Sequence, residues 1–485
     1  MLVLERDCEA TSPWKMLPLG LRGLNPSSAQ ALDRRGLLEA VAEASGTDGA
    51  TLGAPKDAVE APPPRGISHF AGMGLDAALI DTAALEYRLP TPAAEGFMTS
   101  LHAVNSVLTQ RIADLGVDVI RGVSVTAVSQ DDEGVVVRTG DHEHRAHWLV
   151  GCDGGRSAVR GLAGFGFVGT KPTFTGYAAH VSFADAQQLS YGFTVTPDGM
   201  YLRTPFEGHV GMMDFDGGAF DGSRPLTRDH LESVLRRISG TEVSISDLHL
   251  ASTFTDRAMQ APAYRMGRIL LAGDAAHIHS PLGGQGLNLG IGDALNLGWK
   301  LAATVQGHAP AGLLNTYEAE RHPVGAAVLD WSRAQVAAMH PGPNTPALRK
   351  LLFDLMNTRC GATHVYRVTS GLFAHYDLGG RHPIVGTTAP EFRLASGTRL
   401  GELMREGRGI VLDVPGHRTL RDAADGWEGR IDYLTGALRN DLGLHAVLIR
   451  PDGIVVWASA GVPDTDAFAQ SATRWFGHPN RGGIG

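Results

Sequence analysis

The residues best placed to do chemistry lie in LLAGDAAHIHSPLGGQGLNLGIGDALNLGWKLA, Leu270 to Ala302. An apolar strand pattern runs into Gly273, and Asp274 follows at its carboxyl end, where open α/β sheets bind their ligands. A carboxylate there accepts hydrogen bonds from the hydroxyls of a sugar-like chain. Pro281, Gly283, Gly284 and Gly286 then leave the backbone bare just before a helical pattern. Free N–H groups at a helix start face an anion or a polar ring edge. A glycine-rich connection with a capping aspartate is the bland alternative. The order of elements over the whole run favours a ligand site.

A second stretch, WLVGCDGGRSAVR, Trp148 to Arg160, repeats the theme: a strand reaches Asp153, Gly154 and Gly155, then Arg156 and a helix start. Standing alone it reads equally well as an ordinary strand-to-helix turn capped by Asp153. A third, MLVLERD, reads as the second strand of a dinucleotide-binding unit, with the acidic Glu5 at its tip. Such a unit begins about 20 residues before that acid, with a strand and a G-x-G-x-x-G turn. Only four residues precede Glu5, so the expectation is an N-terminal truncation, with the true start upstream of Met1. GMGLDA, Gly72 to Ala77, formally matches G-x-G-x-x-A, yet no βαβ unit surrounds it, and it reads as part of a second sheet. His277 and His279 stand two apart without a third ligand cluster, so no metal site is expected.

These turns need elements to hold them. Helical spacing covers Ser27 to Ser45 with a break at Gly36, and returns in SVLTQRIADLG. GAPKDAVEAPPPRG between them reads as a long surface connection. Strand-like alternations follow in VDVIRG, VSVTAVSQ and GVVVRTG. Residues 165–250 are strand-rich, with one helix, RDHLESVLRRISG, set among them. Phe193, Tyr201, Phe206 and Phe215 there fit an apolar pocket and a plain core equally well. Long helices occupy residues 311–373, and the last hundred residues alternate helices with short strands.

Composition narrows the function. A net charge of −9 without basic clusters argues against nucleic-acid binding. No apolar run reaches the roughly 18 residues of a membrane span. Three scattered cysteines, Cys8, Cys152 and Cys360, point to a reducing compartment, with the cytoplasm as the default.

Taken together, the two turns resemble the paired "DG" and "GD" fingerprints of the single-component FAD-dependent aromatic hydroxylases, the p-hydroxybenzoate hydroxylase-like flavoprotein monooxygenases. The resemblance extends through LDRRGLL (Leu32 to Leu38), WKLA and TYEAERHPVG (Thr316 to Gly325). AVLIRPDGIVVWAS, Ala446 to Ser459, looks like the thioredoxin-like C-terminal domain of the branch acting on polyketides, tetracyclines, rifamycins and phenols. That part of the chain has no cysteine, so packing or dimer contacts are expected of it, not redox chemistry.

The resemblance implies an α/β fold. A Rossmann-like FAD-binding domain (1–65, 92–165 and 260–345), its first βα unit missing, is interleaved with a β-sheet substrate domain (66–91 and 166–259). A helical connection (346–380) and a thioredoxin-like α/β domain (381–485) follow. It further implies FAD, with NADPH or NADH and O2 as co-substrates, acting on a small aromatic or polyketide molecule through a C4a-hydroperoxyflavin, in a monomer or homodimer. Baeyer–Villiger oxygenation, or a non-catalytic ligand-binding descendant, are the alternatives. Carried over by residue, Glu5 binds the adenosine ribose, and Arg22, with Lys15 as the second candidate, meets the phosphates. Asp153 shapes the FAD and NAD(P)H approach, and Asp274 holds the ribityl or pyrophosphate-proximal hydroxyls. Gly283, Gly284, Gly286, Leu287 and Asn288 lie along the isoalloxazine, with Pro281 lining the place where substrate meets flavin. No side chain is assigned as acid, base or nucleophile.

Overall fold

The computed structural model describes residues 1–46 and 68–480. The surface connection expected at GAPKDAVEAPPPRG lies outside them. The helical readings of the N-terminal stretches hold. The first helical stretch divides into Pro26–Asp33 and Leu38–Ala44 around Gly36, whose φ of 70° suits glycine. The next helix, Leu101–Asp114, opens on a Ser100 cap that accepts from the Ala103 N–H.

Three sheet systems carry the molecule. Parallel ladders give the first its α/β character. Leu2–Glu5 pairs with Asp118–Arg121, and Leu149–Gly151 pairs with Ile269–Leu271, flanked by antiparallel Arg265–Met266. The two ladders belong to separate hydrogen-bonded sheets, and among the described residues the Leu2–Glu5 strand has Asp118–Arg121 as its ladder partner. Ile269, Leu270 and Leu271 are fully buried, which explains their unbroken apolar run. This strand delivers Gly273 and Asp274 to its carboxyl end.

The second system is a five-stranded antiparallel sheet in the order Gly192–Thr196, Gly199–Arg203, His209–Asp214, Thr175–Phe183, Ile245–Thr255. The Arg228–Ser239 helix buries Leu231, Val234, Leu235 and Ile238 against one face. Tyr201 belongs to that core and not to a pocket. Phe193 and Phe215 pack in a separate cluster with Phe70, Phe174 and Met339. The GMGLDA stretch corrects one expectation. His69–Phe70 and Met73–Gly74 form their own two-stranded hairpin, which packs on the sheet through Phe70 and Met73 without joining its ladder.

The third system is the C-terminal sheet, Ile431–Thr435, Gly409–Asp413, Ala446–Ile449, Val455–Ser459, with one parallel and two antiparallel pairings. A helix, Arg418–Ala424, links the parallel pair, and Thr465–Phe476 follows the last strand. Its core continues into the rest of the chain through Leu89, Ala303 and Leu313. Among the described residues, no helix is long and apolar enough to cross a membrane.

Candidate functional site

The Gly273–Ala275 turn and the start of the Gln285–Val305 helix face each other. Gly273 (φ 60°) approaches helix residue Gly290 so closely that a Cβ on Gly290 would lie 3.6 Å from the Gly273 Cα. The loop between them closes on a turn in which the Gly284 N–H donates to the Pro281 carbonyl at 3.0 Å. Gly283 and Gly284 both take left-handed conformations, φ 79° and 61°, which explains two consecutive glycines there. Gly284 caps the helix without a side chain, so the first-turn N–H groups stay uncovered.

Asp274 is exposed, and its carboxylate accepts no hydrogen bond among the described residues. Arg22 is the cation beside it. Burial lowers the Arg22 pKa, and the Asp274 charge opposes that shift. The Arg22 guanidinium also donates to the Leu19 and Leu21 carbonyls, at 3.2 and 2.7 Å. A free carboxylate, a bare helix start and an adjacent guanidinium suit a ligand with hydroxyls, a polar ring edge and phosphates. The residues therefore fit FAD.

Three other expected site residues, Asn288, Leu287 and Asp153, have side chains spent on the protein itself. Asn288 accepts from the Asn25 N–H and donates to the Gly23 and Gly284 carbonyls, each at 2.9 Å. Its side chain thus stitches the helix start to the Leu21–Leu24 strand. Leu287 packs beside Leu32 and Val104. Asp153 accepts from Ser157 Oγ at 2.5 Å and from the Val159 N–H at 3.0 Å, capping the Ala158–Leu162 helix. Glu5 accepts from the Asp7 N–H at 3.0 Å, at the end of the Leu2–Glu5 strand. Pro281 is exposed on the turn.

Next to this turn lies a cleft lined by Gly23, Asn25, His69, Glu95, Phe97, Gly283, Gly284, Asn288, Tyr366 and Ser370. It brings three of the expected loop residues together with residues from four other stretches of the chain. Burial holds the His69 pKa at about 4, so its ring is neutral, and Phe193 packs against it with centroids 4.5 Å apart.

Several organising residues escaped sequence reasoning. Arg160 joins the two acidic turns, donating to the Gly155 carbonyl at 2.8 Å and the Ala275 carbonyl at 2.9 Å. Asp293, fully buried, accepts from the Gly273 N–H, His277 Nε2 and Arg321 Nε at 3.0, 2.7 and 2.8 Å. Burial would raise its pKa, but Arg321 and His277 outweigh that and hold it below the usual range. Arg321 continues to the Tyr376 hydroxyl at 3.1 Å. Farther along the same helix, Lys300 and Asn296 meet Glu320, which takes a bidentate pair of 2.8 Å hydrogen bonds from Arg450 of the C-terminal sheet region. A sequence signal for this seam exists: Asp293, Asn296 and Lys300 stand three and four apart in the middle of the helix, one polar stripe on one face among apolar and small neighbours.

Residues 21–332 match the FAD binding domain family, and residues 382–479 match the aromatic-ring hydroxylase C-terminal domain. The chain belongs to the FAD-dependent aromatic and polyketide monooxygenases. A monooxygenase of Claviceps purpurea is 40% identical, over 98% of this chain and 92% of its own length. The 12-dehydrotetracycline 5-monooxygenase/anhydrotetracycline 6-monooxygenase of Streptomyces rimosus is 36% identical, over 99% and 94%. Among solved structures, the anhydrotetracycline hydroxylase of Streptomyces rimosus superposes with a TM-score of 0.85 at 33% identity, over 99% of this chain and 94% of that one. In this monooxygenase frame, the docked C-terminal region is a packing partner of the Gln285–Val305 helix, and no cysteine lies in it.

Proposed function

We propose that the chain uses NADPH or NADH and O2, with FAD, to place one oxygen atom on a small electron-rich aromatic or polyketide substrate. The observation that carries this reading is the uncommitted Asp274 carboxylate facing a glycine-bared helix start, in a chain of this family. The tetracycline substrates named for the Streptomyces rimosus relative support a fused polyphenolic substrate class. When bound, the flavin supplies the electron transfer and oxygen activation; the protein supplies orientation, electrostatics and a dry pocket.

Each residue then has a task that its geometry permits. Asp274 accepts hydroxyls of the flavin's polyol chain, and the N–H groups from Gly283 to Gly286 meet a polar edge of its ring. Arg22 neutralises phosphate charge, Glu5 takes the adenosine ribose, and Pro281 borders the place where substrate meets the ring. Asn288, Leu287 and Asp153 act by positioning these turns, since their side chains are committed to the protein. His69, neutral and half-buried in the cleft, can exchange a hydrogen bond with a substrate hydroxyl.

The purified chain with added FAD should show a bound-flavin visible spectrum. With a polyphenolic tetracyclic substrate it should oxidise NADPH or NADH and incorporate one atom from 18O2 into product. NAD(P)H consumption without label in any product would replace this reading with a flavin reductase.

A further inference from the structure

The loop between the acidic turn and the helix holds three buried polar atoms with no partner among the described residues, His277 Nδ1, His279 Nε2 and Ser280 Oγ, and His279 Nε2 is the one that neighbours Asp274 across Gly286. His279 Nδ1 lies 2.7 Å from the Ser280 carbonyl oxygen. A carbonyl only accepts, so Nδ1 carries the ring proton, and the neutral ring leaves Nε2 as a lone-pair acceptor. Burial lowers the His279 pKa, with the Ser280 contact opposing it, which keeps the ring neutral at pH 7. Nε2 is buried and makes no hydrogen bond among the described residues. Buried polar atoms are nearly always partnered, and leaving one unmade costs roughly 1–3 kcal/mol.

The surroundings of that atom say what it lacks. A Cβ built on Gly286 would lie 3.7 Å from His279 Nε2 and 3.9 Å from Asp274 Oδ1. Two acceptors therefore converge on one bare glycine at the helix start. A phosphate brings no hydrogen to such a pair, and the flavin ring brings a single N–H. The polyol chain brings several adjacent hydroxyls.

We propose that His279 is a cofactor-binding residue, its Nε2 accepting a hydrogen bond from a hydroxyl of the flavin polyol chain beside Asp274. This rests on the FAD reading above. It makes the GD turn a two-acceptor clamp, one charged and one neutral, and it gives the second histidine of HIHS a task that packing does not require.

The test compares FAD with an FAD analogue whose polyol chain is replaced by a plain five-carbon alkyl chain. Dissociation constants come from flavin fluorescence on the wild type, His279→Phe and His279→Gln, with thermal melting of the apoproteins as the control for folding. His279→Phe should weaken FAD about tenfold, the worth of one hydrogen bond, and leave the alkyl analogue unaffected. His279→Gln, which restores an acceptor, should recover most of the loss. Equal weakening of both ligands would assign His279 to packing, and an unchanged FAD affinity would mean that a water satisfies Nε2; either overturns the proposal. Should the Phe variant not fold, the wild type gives a second reading. Its His279 Nε2 resonance in 15N-histidine spectra should shift on adding FAD and stay in place with the analogue; a stationary signal with FAD overturns the proposal. A wild type that binds no FAD overturns the cofactor reading itself, and is distinguishable because the other failures leave wild-type binding intact.

Discussion

The two ends of the Gln285–Val305 helix treat polar groups in opposite ways. Toward its carboxyl end, Asn296 and Lys300 meet Glu320 and Arg450, and every one of these groups is buried with a partner. Arg450 is further enclosed by Trp475 and Trp299, 4.5 and 5.4 Å from its guanidinium carbon to the ring centroids. At its amino end the backbone is bare, Asp274 is uncommitted, and a histidine nitrogen lacks a donor. Charges that complete each other inside the protein fasten one domain to another. Charges left open are an offer to something else. One helix therefore serves as the dock for the C-terminal region and borders the proposed ligand site.

The closed end should respond to disruption most strongly. Glu320→Gln leaves Lys300 with a neutral partner and Arg450 with Asp452 as its remaining carboxylate in a dry seam, and should cost about 3 kcal/mol in denaturant unfolding. The seam also sets acid stability. Burial pushes the Glu320 carboxyl up, but Arg450 and Lys300 outweigh this and hold it at about 2, against an ordinary value of 4.5. Because the folded value is the lower one, its contribution is full above pH 4.5 and drains away as pH falls toward 2. Urea melts at pH 6, 4.5 and 3 should show this slope in the wild type and lose most of it in the variant.

The open end should respond in binding and not in folding. Asp274→Asn removes a charged acceptor that contacts no protein donor, so unfolding free energy should stay within about 0.5 kcal/mol of the wild type. FAD affinity should fall about 10- to 100-fold, the worth of hydrogen bonds to a charged group. A variant that unfolds more easily and binds FAD normally would move Asp274 to the structural side of the comparison.

Asp153 sharpens the boundary between the two classes. It sits in a turn that resembles a cofactor fingerprint, yet one carboxylate oxygen accepts from the hydroxyl of the N-cap Ser157 and the other from the helix N–H of Val159. Asp153→Ala should cost about 1 kcal/mol in stability, as lost caps do, with FAD affinity within about threefold of the wild type. A loss of FAD affinity larger than the loss of stability explains would give this aspartate a direct part in binding.

Much of this was legible in the residues. The GD turn, its glycines and the helix after them were found because each has a local cause: a strand end, a left-handed φ, a bare helix start. The same logic located the Pro26–Asp33 and Leu38–Ala44 helices and the strand-rich middle region. It went astray where partners come from far along the chain. GMGLDA was placed in the substrate sheet but forms its own hairpin. The motif places Asn288 along the ligand, and nothing local tells that its amide is spent on Gly23 and Asn25, more than 260 positions away. Tyr201 and Phe193 alternate on neighbouring strands with nothing local to separate core from cleft.

The sequence by itself determined the order of the elements, the place of the acidic turn and the absence of a cysteine pair from the C-terminal region. Hydrophobic periodicity, turn chemistry and helix caps act over a few residues, so they can be read in order along the chain. Only the tertiary structure decided which polar groups are spent and which are free. Whether Asp274 or Asp153 offers its oxygens to a ligand depends on what lies within about 3 Å of them. That neighbourhood is assembled from segments far apart in the chain, as Arg450 on Glu320, across 130 positions, makes plain.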